Sequence, residues 1–505
     1  MSLAIVYTRA QLGVDAPSVT VEVHLSAGLP ALALVGLPEA AVRESKERVR
    51  SAIINSGYEF PQRRITINLA PADLPKEGGR YDLAIAVGIL AASGQLPIQS
   101  LENIEFLGEL ALSGALRAVT GVLPAALACK KAQRRLLIPH SSAEEASLVN
   151  DVEINLAAHL LDVCAALQDK QKLESVSSAH QPIQNVGATV DIADVKGQTV
   201  AKRALEIAAA GGHNLLMSGV PGSGKSMLAA RLPTLLPALQ DEERLETAAI
   251  YSVAGLSVES ICKGIRPFRA PHHTASSAAL VGGGSSPRPG EISLAHQGVL
   301  FLDELPEFSR RVLEVMREPL ETGEILISRA ARQVSFKSRF QLVAAMNPCP
   351  CGYAGDVSGK CRCSPEQIRR YQDKLSGPLL DRLDLFVNVA ALPAETLLRI
   401  DASKAETSAQ VRERVVLALQ QQYARQGCRN SALPAQQLEG VARLNDNGRQ
   451  LLMTAATRFG LSARACHRVL KVGRTIADLK HKADVEENDI MEALGYRDGL
   501  TKAAR

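Results

Sequence analysis

An α/β fold in two successive units, closed by a helical segment, is predicted by three observations. The first is Gly219-Val220-Pro221-Gly222-Ser223-Gly224-Lys225-Ser226, a complete Gly-x-x-x-x-Gly-Lys-Ser loop. An apolar strand, Asn214 to Ser218, precedes it and a helix, Met227 to Leu232, follows it. The second is Val299-Leu300-Phe301-Leu302-Asp303-Glu304, an apolar strand ending in two carboxylates. The third is the alternation of strand and helix patterns through residues 1–170, against charged, helix-rich sequence beyond residue 396.

The chain has 505 residues, enough for two or three domains. Its net charge is only +4, so a basic surface for nucleic acid has to be local. With no Trp, 9 Phe and 8 Tyr, base-stacking platforms are not expected as the main binding mode. No apolar run reaches the roughly 18 residues of a membrane span, and the first residues lack a basic segment and long apolar core. Nine cysteines in such a chain are not a disulfide scaffold. The expectation is a cytoplasmic protein with no membrane partner.

In order, Val19 to Leu25 alternates as a strand. Ala31 to Pro38 is a second strand and leads to a helix through Arg50; Arg64 to Leu69 is a third. The turn Pro75 to Asp82 precedes a helix, Leu83 to Ala92, and Glu105 to Leu110 and Arg135 to Pro139 add strands. Residues 171–190 are polar, lack periodicity and read as a linker. A helix, Thr199 to Ala210, then leads to the Gly-rich loop.

The chemistry of that loop follows from its residue types. Its glycines let backbone N–H groups close around phosphate oxygens, and the helix N-terminus faces the anion. In a loop of this kind Lys225 reaches the β- and γ-phosphates and Ser226 ligates Mg²⁺. Asp303 suits a contact to the same ion, and Glu304 is placed to polarise the attacking water. ATP and Mg²⁺ are therefore the expected ligands, held by residues 219–226 and Asp303.

Residues 20–165 resemble the proteolytic domain of Lon and the related C-terminal domain of RadA. Where Lon-type proteases carry a nucleophilic Ser this chain has Arg80, and the expected catalytic Lys falls among Val122-Leu123-Pro124-Ala125. No Ser–Lys dyad can be assembled, so the segment reads as a non-proteolytic scaffold. Its basic residues Arg43, Lys46, Arg48, Arg50, Arg63, Arg64, Lys76 and Arg80 suit either DNA phosphates or ordinary solvated faces.

Phe268-Arg269-Ala270-Pro271-His272-His273-Thr274-Ala275-Ser276 and the Gly-rich run Leu280 to His296 resemble the magnesium-chelatase-like AAA+ family, most closely its YifB/ComM members, over essentially the whole chain. The resemblance implies domains at 1–170 (Lon-like), 191–395 (AAA+ P-loop ATPase core) and 396–505 (helical lid). It implies that the Gly-rich run inserts before the Asp303 strand and faces a central pore. His272 and His273 raise a metal site, but the resemblance favours a structural or allosteric role. Asn347 matches sensor 1, Arg382 in Leu379-Leu380-Asp381-Arg382 matches an arginine finger supplied to a neighbour, and Arg464 matches sensor 2. A finger in trans requires a ring, expected to be a homo-hexamer.

Residues 324–337 read as a hairpin before the sensor strand, the pre-sensor hairpin of this branch; Arg329, Arg332 and Lys337 suit sequence-blind phosphate contacts. Cys349, Cys351, Cys361 and Cys363 are two close thiol pairs around a Gly-rich loop, fit for a structural Cys₄ Zn²⁺ site or left as unligated thiols. The family implies an ATP-dependent DNA helicase on single-stranded or branched DNA, driving branch migration in natural transformation. The alternative is the motor subunit of a magnesium-chelatase-type complex, against which the Lon-like segment and the cysteines speak.

Overall fold

The computed structural model describes residues 3–176, 190–284, 287–329, 332–356, 359–393 and 405–497. Most of the stretch read as a linker, residues 177–189, lies outside them.

Two sheets organise the chain. The first is mixed and has eight strands: β1 (Leu3–Arg9), β2 (Ser18–Ser26), β3 (Ala31–Val35), β4 (Arg64–Ala70), β5 (Ile104–Phe106), β6 (Arg135–Pro139), β7 (Ile154–Ala157) and β8 (Glu174–Ser175), in the order β8-β7-β6-β5-β1-β2-β4-β3. β1 is a strand the sequence reading does not assign. Its alternation is visible in the structure, with Leu3 and Ile5 exposed and Ala4 and Val6 buried. It pairs with β2 along its whole length, Leu3 opposite His24 and Arg9 opposite Ser18. Of the flanking helices α1 (Ser45–Asn55), α2 (Asp82–Ala92) and α3 (Val122–Ala132), α2 is apolar on every face and buried at every residue, so it forms the centre of this core rather than its skin.

The second sheet is parallel throughout. It follows α4 (Thr199–Gly211) and comprises β9 (Leu215–Ser218), β10 (Phe268–Arg269), β11 (Val299–Leu302), β14 (Gln341–Met346) and β15 (Leu385–Asn388), in the order β10-β11-β14-β9-β15. β12 (Glu324–Arg329) and β13 (Arg332–Lys337) form a separate antiparallel hairpin between β11 and β14. β11 and β14 are buried at every position, the mark of parallel strands covered on both faces. The helix after the Gly-rich loop, α5 (Lys225–Ala229), starts earlier and stops sooner than its apolar pattern implies. A second short helix takes over at Leu232–Leu235 with Pro233 in its first turn, where a missing N–H is tolerated; inside a continuous helix the ring would clash one turn back.

α6 (Asp241–Ala254) joins the two units. Ala248, Ile250 and Tyr251 share one buried cluster with Val122, Leu123 and Ala126 of α3. Glu145 seals the contact: its carboxylate accepts from Leu123 N at 2.7 Å and from the Ser252 hydroxyl. The last residues form a helical bundle, chiefly α8 (Ser408–Gln426), α9 (Asp446–Phe459), α10 (Ala463–Leu479) and α11 (Glu487–Gly495), with α7 (Pro365–Gln372) preceding it on the far side of β14 in the chain. α8 and α10 pack on α4, sharing the cluster beneath the parallel sheet.

Candidate nucleotide site and four-cysteine cluster

The strand order builds the site. β14 lies between β9 and β11, so the Gly219 loop, Asn347 and the Asp303-Glu304 pair leave the same sheet edge side by side. That edge, at the carboxyl ends of the strands, is where open parallel sheets bind ligands. Gly219 N donates to Met346 O at 3.2 Å, tying the loop to β14. Lys225 Nζ donates to Gly219 O (2.7 Å), Val220 O (3.0 Å) and Asn347 Oδ1 (3.3 Å). Ser226 Oγ donates to Asp303 Oδ2 at 2.7 Å, and Asp303 Oδ1 accepts from Glu304 N at 2.9 Å. Burial draws the Lys225 ammonium below its ordinary pKa, against the opposing pull of Asp303 and Glu304.

These residues fit a nucleoside triphosphate with Mg²⁺. Gly222 and Gly224 hold φ of +77° and +94°, the left-handed turns that aim successive N–H groups inward. The Ser223 hydroxyl is buried with no partner. Ser226 and Asp303, already in contact, are the pair that would hold the cation.

Glu304 itself is strained, at φ 53° and ψ 45°, and its Oε2 lies 2.9 Å from His273 Nδ1. His273 lies tilted against His272 at 4.1 Å between ring centroids and meets Phe308 edge-on at 6.5 Å. Of the two histidines, His272 Nδ1 lies 2.8 Å from the Thr274 hydroxyl, and His273 serves the Glu304 carboxylate. This contact is absent from the sequence reading; thirty-one residues separate its members, and no local pattern signals it.

Other expected site residues stand apart. Arg382 is 7% exposed and bound within its own chain: Nε donates to Arg317 O at 3.1 Å, Nη1 to Pro378 O at 2.6 Å, and Nη2 pairs with Glu321 at 2.6 Å. Arg464 is exposed on the first turn of α10. One turn on, Arg468 pairs with buried Asp384, which also accepts from Asn214 N at 3.0 Å and lies 3.5 Å from His213 Nδ1. Burial raises the pKa of Asp384, but His213, Arg468 and the Asn214 N–H outweigh it and hold the carboxyl well below the usual range.

In the hairpin, Arg329 and Arg332 face each other across the last register pair; their side chains lie outside the described residues. Lys337 pairs with Glu246 on α6, which in turn meets buried His296 at 3.1 Å. Leu12 and Val14, from the β1–β2 connection, pack on the cluster that holds Val334 and Phe336 of this hairpin. Three of the N-terminal cations offered for phosphates are engaged within the chain instead. Lys76 is buried and donates to Pro71 O, Arg80 is buried and donates to Gln11 Oε1 and Thr120 O, and Arg48 pairs with Asp82 at 2.7 Å.

The four cysteines converge. All four Sγ atoms lie within 4.8 Å of one another, and no other group of three or more His, Cys, Asp or Glu among the described residues is so arranged. Cys349 is buried and the other three are half-buried. The Cys351 thiol is pulled down to about 6 by N–H donors of Tyr353 and Arg362. Zinc bound at about 2.3 Å puts tetrahedral sulfurs roughly 3.8 Å apart; Cys349–Cys361 and Cys351–Cys361 are at 3.8 and 3.6 Å. The set fits a closed structural site.

Three sequence profiles match the chain. One described as magnesium chelatase, subunit ChlI, covers residues 191–397; one described as subunit ChlI of Mg-chelatase covers 21–142; and the subunit ChlI C-terminal profile covers 405–497. The competence protein ComM of Haemophilus influenzae is 53% identical over 501 residues, 98% of either chain. The YifB proteins of Salmonella typhimurium and Escherichia coli are 51% and 50% identical, each over 98% of this chain and 97% of their own. No helix among the described residues is long and apolar enough to cross a membrane.

Proposed function

Because the chain belongs to the magnesium-chelatase-like AAA+ family of YifB and ComM, we propose that it is a ring-forming ATP-driven DNA motor. In this reading residues 1–170 are a Lon-like, non-proteolytic domain, 191–395 the ATPase core and 396–505 its lid. ComM's name ties that relative to competence, and the matching role here is branch migration while incoming single strands are integrated. The observation that carries the motor reading is the arrangement of one sheet edge: phosphate loop, cation-holding pair and Asn347 stand side by side, with a basic hairpin spliced between β11 and β14.

Each residue then has a task. The loop amides and Lys225 bind the phosphates. Ser226 and Asp303 would hold Mg²⁺, which would supply charge neutralisation for the phosphates. Glu304 accepts a proton from the attacking water, and Asn347 orients that water or the γ-phosphate. Arg382 completes the neighbour's site; Glu321 is the counter-ion it leaves on assembly into a hexamer. Arg464 contacts nucleotide from the lid. Arg329, Arg332 and Lys337 grip phosphates in the pore, Lys337 exchanging Glu246 for DNA. The test is Arg329→Ala with Arg332→Ala. Assembly and basal hydrolysis should persist, DNA affinity should fall with a shallower salt slope, and strand displacement should fall with it. Wild-type displacement by the double variant refutes the pore grip.

One observation keeps a chelatase-type motor in play: the N-terminal segment, expected to speak against it, is itself matched by a ChlI profile over residues 21–142. Co-purification with a large porphyrin-binding subunit, without response to DNA, decides for that alternative.

A further inference from the structure

The chain passes from Asn347 to Arg382 in one run, and the four cysteines hold its first half together. At its start, Asn347 Oδ1 takes a hydrogen bond from Lys225 Nζ at 3.3 Å, and Cys349 lies two residues on. At the other side of the cluster, Cys363 is followed at once by Ser364, which caps α7 by accepting from Gln367 N at 3.3 Å. α7 then returns to where the run began: Gln372 Nε2 donates to Pro348 O at 3.2 Å, and Tyr371 is buried in the cluster under β14. Beyond α7 the chain turns through Gly377–Leu380 and reaches Arg382.

A third contact seats the cysteine loop on the phosphate loop. Gly352 has φ +87°, and a Cβ there would lie 2.7 Å from Pro221 Cγ and Cδ and 3.9 Å from Asn347 Cγ. The loop turns on Gly352 N donating to Cys349 O at 3.0 Å, and Ala354 N donates to Cys349 Sγ at 3.3 Å. The sulfur cluster and the ATP site therefore share a wall made of Pro221, Asn347 and Gly352. No disulfide is formed, since the nearest sulfurs, Cys349 and Cys351, are 3.3 Å apart and a bridge needs about 2.05 Å.

We propose that the four-cysteine site, filled by a tetrahedral metal ion such as Zn²⁺, is a clip that positions the sensing half of the ATP site: Asn347 and Pro221 at one end, and α7 with the Arg382 segment at the other. This rests on the ATPase reading above. Lys225 and Ser226, which hold the phosphates, sit on α5, and the cysteine loop meets the phosphate loop at Pro221. Asn347 and the Arg382 segment lie at the two ends of the run that the cysteines hold. Occupancy of the clip therefore governs turnover and spares nucleotide affinity, which separates it from a zinc site that merely supports the fold.

The test uses the full chain and needs no DNA. Metal content is measured first, then the protein is reloaded with Co²⁺, whose visible bands in a four-thiolate site report the geometry of the sulfurs. Addition of MgADP is expected to shift those bands, because Gly352 lies against Pro221. Stripping the metal, or Cys363→Ser, should lower kcat about tenfold or more, in the range seen when a supporting shell is lost. KM for ATP and the Kd of a fluorescent nucleotide should stay within about twofold, and Zn²⁺ should restore kcat to the stripped protein. Absence of bound metal overturns the proposal. So do cobalt bands blind to saturating nucleotide, an unchanged kcat after stripping, or a parallel loss of nucleotide affinity. A metal-loaded protein that binds no nucleotide refutes instead the ATP-site reading, and the clip with it.

Discussion

Asp384→Ala should loosen the helical bundle from the ATPase sheet. Asp384 sits two residues after Arg382, is 4% exposed, and is satisfied by Asn214 N, Arg468 and the nearby His213. Arg468 belongs to α10, whose first turn carries Arg464, so this carboxylate ties α10 to the start of β15. Removing one partner of a buried ion pair costs about 3–5 kcal/mol. Arg468 keeps a quarter of its side chain exposed and can turn to water, which places the loss at the lower end, about 3 kcal/mol. For a cooperative unit of 150–250 residues that is roughly 6–12 °C in Tm. The pH dependence has a definite sign. The folded pKa of Asp384 is depressed, so its stabilisation is fully present above the unfolded carboxylate value, about 4, and is lost as pH falls below it. The gap between wild type and variant, read by calorimetry at a series of pH values, should therefore be widest near neutrality and shrink with acid. A Tm drop under about 2 °C, or a gap that grows on acidification, refutes the reasoning.

Other expectations concern turnover. Glu304→Gln should bind ATP normally and lose about 10²–10⁴-fold in hydrolysis; undiminished steady-state hydrolysis would remove Glu304 from the site. His273→Ala, which frees the Glu304 carboxylate, should lower kcat by up to about 10²-fold with KM for ATP unchanged. His273→Asn, which keeps a donor near the Nδ1 position, should recover most of the rate, and equal rates for both variants would end the positioning role. Arg382→Ala should cut hydrolysis by about 10³-fold, the lower end for arginine fingers, and leave nucleotide binding nearly intact. Doping with Glu304→Gln subunits that carry an intact Arg382 should partly restore hydrolysis; if mixed rings form and nothing is restored, the finger does not act in trans.

Much of this molecule is legible in its sequence because the informative patterns are local. The loop at 219–226, the carboxylates closing β11, the 324–337 hairpin and the strands from Val19 to Pro139, though not β1, each declare themselves within about ten residues. The cysteines are legible for the same reason, since two close pairs fall on one loop. Contacts between distant segments are not. Nothing near Arg80 shows that Gln11 and Thr120 enclose it, so a buried structural cation looks like a candidate for phosphate. Lys337 reads as a free charge until Glu246, ninety-one residues away, is placed against it. Arg382 reads as a projecting finger, and only the fold shows Glu321, Arg317 and Pro378 closing on it. The helix after Lys225 fails on a local conflict: its apolar pattern continues to Leu232, but Pro233 demands a fresh start.

The most direct test of the central claim is the ATP hydrolysis rate of the intact protein alone and with single-stranded, duplex and branched DNA at fixed salt. The account predicts hydrolysis that depends on Lys225 and Glu304, rises with single-stranded or branched DNA, and loses that rise, but not the basal rate, when Arg329 and Arg332 are replaced by alanine. A rate indifferent to every DNA added, in protein that binds and hydrolyses ATP, contradicts it.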